Sequence, residues 1–146
     1  MNELQGYDIE DLQPGMTATF AKIISADDIA SFAAASGDNN AVHVDEDYAA
    51  RTPFKGRIAH GMLTAGVLSA ALANKLPGPG TVFLGQSLRF RAPVRPGDTV
   101  HATVTVKEVQ REKCRVTLAT VCTVEDQIVI DGEALVMTSS RRARAA

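Results

Sequence analysis

Ser36-Gly37-Asp38-Asn39-Asn40-Ala41-Val42-His43 sets a carboxylate and an imidazole five residues apart in a turn-forming stretch. An acid and a base at that spacing can hold one water molecule between them and move its proton. Further along, His60-Gly61-Met62 opens a segment that is apolar on nearly every side. The first amides of a helix have no partner inside it and carry partial positive charge. Gly61 has no Cβ, so an oxygen can come close to its N–H, which is how a site for a developing oxyanion is built. An acid–base loop beside the amino end of a buried helix suits chemistry on a carbonyl.

Plainer uses exist for each of these residues. Asp38 could close an Asx turn, His43 could be a half-buried surface residue, and His60 could simply start its helix. Two features weigh against that. Asn39 and Asn40 concentrate polar side chains where a helix has just ended, and Val42 and Val44 direct the His43 ring into a partly apolar place. A metal site from His43, Asp45 and His60 rests on a weak His-x-Asp signal with no further ligand at metal-site spacing, so no metal is expected. Cys114 and Cys122 fall on one expected strand, too far apart along it to pair, and read as reduced thiols.

These groups need elements to hold them. Pro14-Gly15 is a turn signal before a short strand over 16–23. Ser25 and Asp28 form a capping-box pair that opens a helix with Ile29, Phe32 and Ala33 on one face, and Gly37 is its terminator. The segment 38–42 reads as loop, Asp45 as the cap of a single turn carrying Tyr48, and 51–59 as irregular. A second helix over 61–75 carries Leu63, Val67, Leu68, Leu72 and Leu76 backed by small residues, and Pro77-Gly78-Pro79-Gly80 ends it. A helix apolar all round must be surrounded by other structure. Strands follow over 81–91, 99–106, 115–124 and 127–137, with a type II turn at Arg95-Pro96-Gly97-Asp98. Val100, Ala102, Val104 and Val106 share one strand face. The spacing predicts an α+β fold in which an antiparallel sheet wraps one central helix. The sheet covers that helix from one side, so a homodimer is expected. Residues 139–146, with Arg141, Arg142 and Arg144 and no apolar period, read as a disordered basic tail after a single domain over 1–138.

The 146 residues suit one domain, which buries about two-thirds of its unfolded surface. A net charge of −2 argues against nucleic acid as a partner. The stretch 62–73 is too short for a membrane span, and the N-terminus lacks the pattern of a signal peptide, so the expected location is the cytoplasm.

Taken together, Ser36-Gly37-Asp38-x-Asn40-x-x-His43, Ile58-x-His60-Gly61-Met62, the run 83–90 (Phe-Leu-Gly-Gln-Ser-Leu-Arg-Phe) and Pro93-Val94-x-x-Gly97-Asp98 resemble the MaoC-like, (R)-specific enoyl-CoA hydratases of the hot-dog fold. The resemblance runs from about Gly15 to Met137 in the family's order. It implies a homodimer whose two helices are wrapped by one continuous sheet, and acyl-CoA bound as substrate in a tunnel near the subunit interface. No metal or organic cofactor is expected, because the thioester already makes Cβ electrophilic. Asp38 and His43 match the family's catalytic pair and Gly61 its oxyanion-hole glycine. Ser69 and Leu72 match positions lining its acyl pocket, and Asn40, His60, Gln86 and Ser87 lie in matching motifs as candidates for binding substrate. One departure is Ala41, where the family usually has proline. The activity implied is reversible hydration of a trans-2-enoyl thioester to the (R)-3-hydroxyacyl product. The alternatives are a hot-dog thioesterase and a non-catalytic subunit that binds acyl thioesters.

Overall fold

Local signals account for most of the elements that carry the site. The computed structural model describes residues 5–145. Strand β1 (Thr17–Ile23) leads into helix α1 (Ala26–Ser36), which starts on the expected capping box. There Asp28 N–H donates to Ser25 Oγ at 3.0 Å, and Ser25 N–H donates to Asp28 Oδ2 at 2.9 Å. The helix stops at Gly37, whose φ of +83° is a conformation a residue without Cβ adopts freely. Two short helices follow, α2 (Ala41–Val44) and α3 (Glu46–Ala50), then the long helix α4 (Gly61–Asn74). The remaining strands are β2 (Val82–Phe90), β3 (Thr99–Gln110), β4 (Arg115–Val124) and β5 (Gln127–Met137).

One five-stranded sheet forms in the order β1-β3-β4-β5-β2, antiparallel throughout. Its inner face carries Val100, Ala102, Val104 and Val106, the set that alternation along β3 predicts. These residues share one buried cluster with Val67, Leu68, Ala71 and Leu72 of α4. Fully burying a leucine contributes about 1.5–3 kcal/mol relative to leaving it in water. Leu68 and Leu72 therefore fix α4 against the sheet and hold its amino end in place. The expected turn forms where β3 begins: Gly97 has φ +94° and Asp98 N–H donates to Arg95 O at 3.0 Å.

The structure departs from the sequence reading in four places. Strand β3 continues to Gln110 rather than ending at Val106, because a register shift between Val106 and Glu108 breaks the alternation without ending the pairing. The expected loop over 38–42 ends early, because helix α2 begins at Ala41. Cys114 precedes β4, at φ +55°, rather than lying on it, and both cysteines are free. Burial pushes the Cys122 thiol up to about 12, which leaves it protonated and a poor nucleophile.

The fourth departure is the C-terminal segment, which is folded. Helix α5 (Arg141–Ala145) docks on a short 3-10 turn at Ile9–Asp11. Arg144 binds the buried Asp8 carboxylate with both terminal nitrogens, at 2.7 and 2.8 Å, and Arg141 reaches Asp11 at 2.7 Å. Hydrogen bonding to Arg144 holds the Asp8 carboxyl well below the usual carboxylate range, helped by Ser139 and the charge of Arg141. A carboxylate with a depressed folded pKa stabilises the protein fully above its unfolded value of about 3.9, and that contribution fades as pH falls. Asp8→Asn should therefore melt below wild type at pH 7, with the gap closing as pH falls below about 4. Thermal melts across that range check it.

Candidate active site

Short backbone devices place the acid and the base. After α1 ends, Asp38 N–H donates to Ser36 Oγ at 3.1 Å, and Asp38 Oδ1 accepts from Asn40 N–H at 3.2 Å. The Asx-type turn is therefore real, and it uses one carboxylate oxygen. Asn40 is the N-cap of α2, its Oδ1 accepting from Val42 N–H at 3.3 Å. Asn40 thus starts the helical turn that carries His43. Asp45 faces the other way and caps α3 by accepting from Tyr48 N–H at 3.0 Å.

His43 is half-buried, and its Nδ1 lies 2.8 Å from Ile58 O. A carbonyl only accepts, so Nδ1 carries the proton. In the neutral ring Nε2 is then an unprotonated base. His60 is only 2% exposed, and its Nε2 donates to Asp38 O at 3.0 Å. The two imidazoles stack with centroids 4.0 Å apart and an interplanar angle of 29°. One Asp38 oxygen and one ring nitrogen from each histidine lie within 4.8 Å of one another. Two ring nitrogens of this cluster, His43 Nδ1 and His60 Nε2, are already committed to backbone carbonyls. The reading from His43, Asp45 and His60 loses Asp45, and Asp38 takes its place in the cluster.

The cluster opens into a cleft of about 470 Å³ lined by Asp38, His43, His60, Gly61, Phe90 and Arg91 among others. Gly61 is the first residue of α4, and its N–H gives no hydrogen bond among the described residues. The structure also shows a reason for glycine there that the sequence hides. A Cβ on Gly61 would come within 2.5 Å of Phe90 Cε1. Phe90 and Phe54 were not legible as cleft residues, because β2 shows no clean alternation and Phe54 sits on an irregular loop held by Arg95.

Five other candidates are not among the residues lining this cleft, Asn40 being one of them as the cap of α2. Leu72 is in the core at 1% exposed, and Ser69 is half-buried on the turn before it. Gln86 Nε2 donates to Thr120 Oγ1 at 3.0 Å, while its Oε1 is buried without a partner among the described residues. Ser87 Oγ accepts from Glu133 N–H at 3.0 Å.

Ala41, the departure noted above, is the first residue of α2. Its N–H donates to nothing among the described residues, and Asn40 before it has φ −56° and ψ 130°, which a following proline requires. Ala41→Pro should therefore raise stability by about 0.4–1 kcal/mol through the unfolded chain. A denaturant titration checks it, and a loss of stability would mean that α2 is strained at this point.

Among the described residues no helix is long and apolar enough to cross a membrane. Residues 11–127 match the family model described as the MaoC like domain. The chain is 56% identical over 132 residues to an (R)-specific enoyl-CoA hydratase of Rhodospirillum rubrum, covering 90% of this chain and 92% of that one. It is 52% identical over 134 residues to a 3-hydroxybutyryl-CoA dehydratase of Methylorubrum extorquens, covering 92% and 85%. Among solved structures, the unliganded R-hydratase PhaJ1 from Pseudomonas aeruginosa superposes with a TM-score of 0.88 at 45% identity, covering 94% of this chain and 89% of that one. The sheet-wrapped helix is thus a hot-dog fold, and the chain belongs to the MaoC-like family.

Proposed function

We propose that this protein hydrates trans-2-enoyl-CoA reversibly to (R)-3-hydroxyacyl-CoA, with Asp38 and His43 holding the water. The observation that carries the reading is the His43 tautomer. With Nδ1–H committed to Ile58 O, Nε2 is left as the acceptor of a ring that has a nitrogen within 4.8 Å of an Asp38 carboxylate oxygen, in an open cleft. On this reading Nε2 accepts a proton as the water oxygen attacks Cβ, and the pair returns one proton to Cα on the same face. Water adds across the double bond with nothing left over. Charge that develops on the thioester oxygen meets Gly61 N–H at the positive end of α4. The thioester already makes Cβ electrophilic, so the step calls on no metal or organic cofactor. The relatives' names, a hydratase and a dehydratase, describe the two directions of one such reaction.

A homodimer belongs to the same proposal. Strand β2 is a sheet edge, and it exposes Val82, Phe83 and Leu84, with Ile128 and Leu135 exposed on its neighbour β5. A long apolar edge left open is prone to pair with another strand. A second copy placing its own β2 there would continue the sheet. Light scattering coupled to size exclusion should return twice the chain mass, and a stable monomer at micromolar concentration would reject it.

The first test follows the enoyl-thioester absorbance of crotonyl-CoA and then the hand of the product. Loss of absorbance with formation of the (R)-3-hydroxy product supports the proposal. Release of free CoA, detected with a thiol reagent, would instead indicate attack at C1 and a thioesterase.

A further inference from the structure

His60 is an unusual choice for its position. It is the N-cap of α4, where serine, threonine, aspartate or asparagine normally accept from the first free amides, yet its side chain makes no cap hydrogen bond. The imidazole reaches Asp38 O instead and is almost wholly buried, with Nδ1 left without a partner among the described residues. A buried polar atom left unpaired at a helix start calls for an explanation in what the rest of the ring does.

We infer that His60 is a positioning residue, registering both members of the acid–base pair to the amino end of α4. Its Nε2–H holds the backbone carbonyl of Asp38 at 3.0 Å, fixing the peptide that carries the acid. One ring face stacks on His43 at 4.0 Å. Since Ile58 O already holds the edge of the His43 ring at Nδ1, the stack fixes the remaining freedom, rotation about that bond. Phe32 of α1 packs on His60 at 4.7 Å and 56°, backing it from the helix that precedes Asp38. Gly61, the next residue, presents the free amide. One side chain therefore ties acid, base and helix terminus together, and its role is exerted through those contacts.

The inference rests on the hydratase reading for its kinetic readout but not for its structural one. Two variants divide the role: His60→Phe keeps a ring and removes the donor, and His60→Gln keeps a donor and removes the ring. Each should lower kcat for crotonyl-CoA by about 10–100-fold, the scale of small misplacements of reacting groups, with KM within about threefold. Nitrogen-15 NMR of the wild type should show the Nδ1–H tautomer at His43 and the Nε2–H tautomer at His60. In His60→Gln the His43 signal should become a mixture of tautomers. A rise in KM with kcat unchanged would make His60 a substrate contact and overturn the inference. So would kcat losses that match the loss of folded protein in thermal melts. The opposite tautomers in wild type would overturn it without any variant. If wild type turns over no enoyl thioester, the hydratase reading fails, while the tautomer measurements still decide the role of His60.

Discussion

Asp38→Asn and His43→Ala should each lower kcat for hydration of crotonyl-CoA by about 10²–10⁴, the range that removing a general acid or base costs. The two substitutions test different parts of the geometry. Asp38→Asn keeps a side-chain oxygen that can still accept from Asn40 N–H, the bond that shapes the turn, so the fold should be unaffected while the negative charge is lost. His43→Ala removes the Nε2 acceptor and also the stacking partner of His60. It should therefore show some loss of stability alongside the loss of rate. The double variant should be little slower than the slower single, because groups that share one water act as a unit and their effects do not add. Near-normal turnover in both singles would remove Asp38 and His43 from the chemistry. A double variant slower by the product of the two factors would mean that they act in separate steps.

Legibility in the sequence followed the range of the forces involved. Helix α1 was readable at both ends because its cap, Ser25 with Asp28, and its terminator Gly37 act within a few residues. The inner face of β3 was readable because burial against α4 enforces a period of two. Helix α2 has four residues, too few for any period to show, and only the Asn40 cap marks it. Helix α5 was missed for a different reason. Its stabilising partners, Asp8 and Asp11, lie more than a hundred residues earlier, and ion pairing over that separation leaves no local pattern. In the site, the residue types and spacing of Asp38, His43, His60 and Gly61 brought all four to one cleft. The stack of His43 on His60 and the ring of Phe90 over Gly61 depend on how α4 meets the loop and the end of β2, which spacing alone does not encode.

The Phe90 contact sharpens what Gly61 is for, and one substitution series separates the two reasons. Gly61→Ala keeps the backbone N–H but adds a Cβ that would sit 2.5 Å from Phe90 Cε1, a distance at which something must move. Phe90 is 54% exposed at the cleft mouth, so its ring is the part free to give way. Gly61→Ala should lower kcat by about 10², toward the range seen when an oxyanion donor is lost, because the ring is pushed across the approach to the amide. Phe90→Ala alone should have a small effect on kcat. The double variant, Gly61→Ala with Phe90→Ala, should then recover at least about tenfold over Gly61→Ala, a coupling expected of residues in contact. Steady-state kcat and KM for the four proteins with crotonyl-CoA give the cycle. Recovery would show that glycine is required mainly to leave room for the ring. A double variant no faster than Gly61→Ala would show instead that the Cβ itself bars the thioester oxygen from the amide, the reason that the sequence alone suggested.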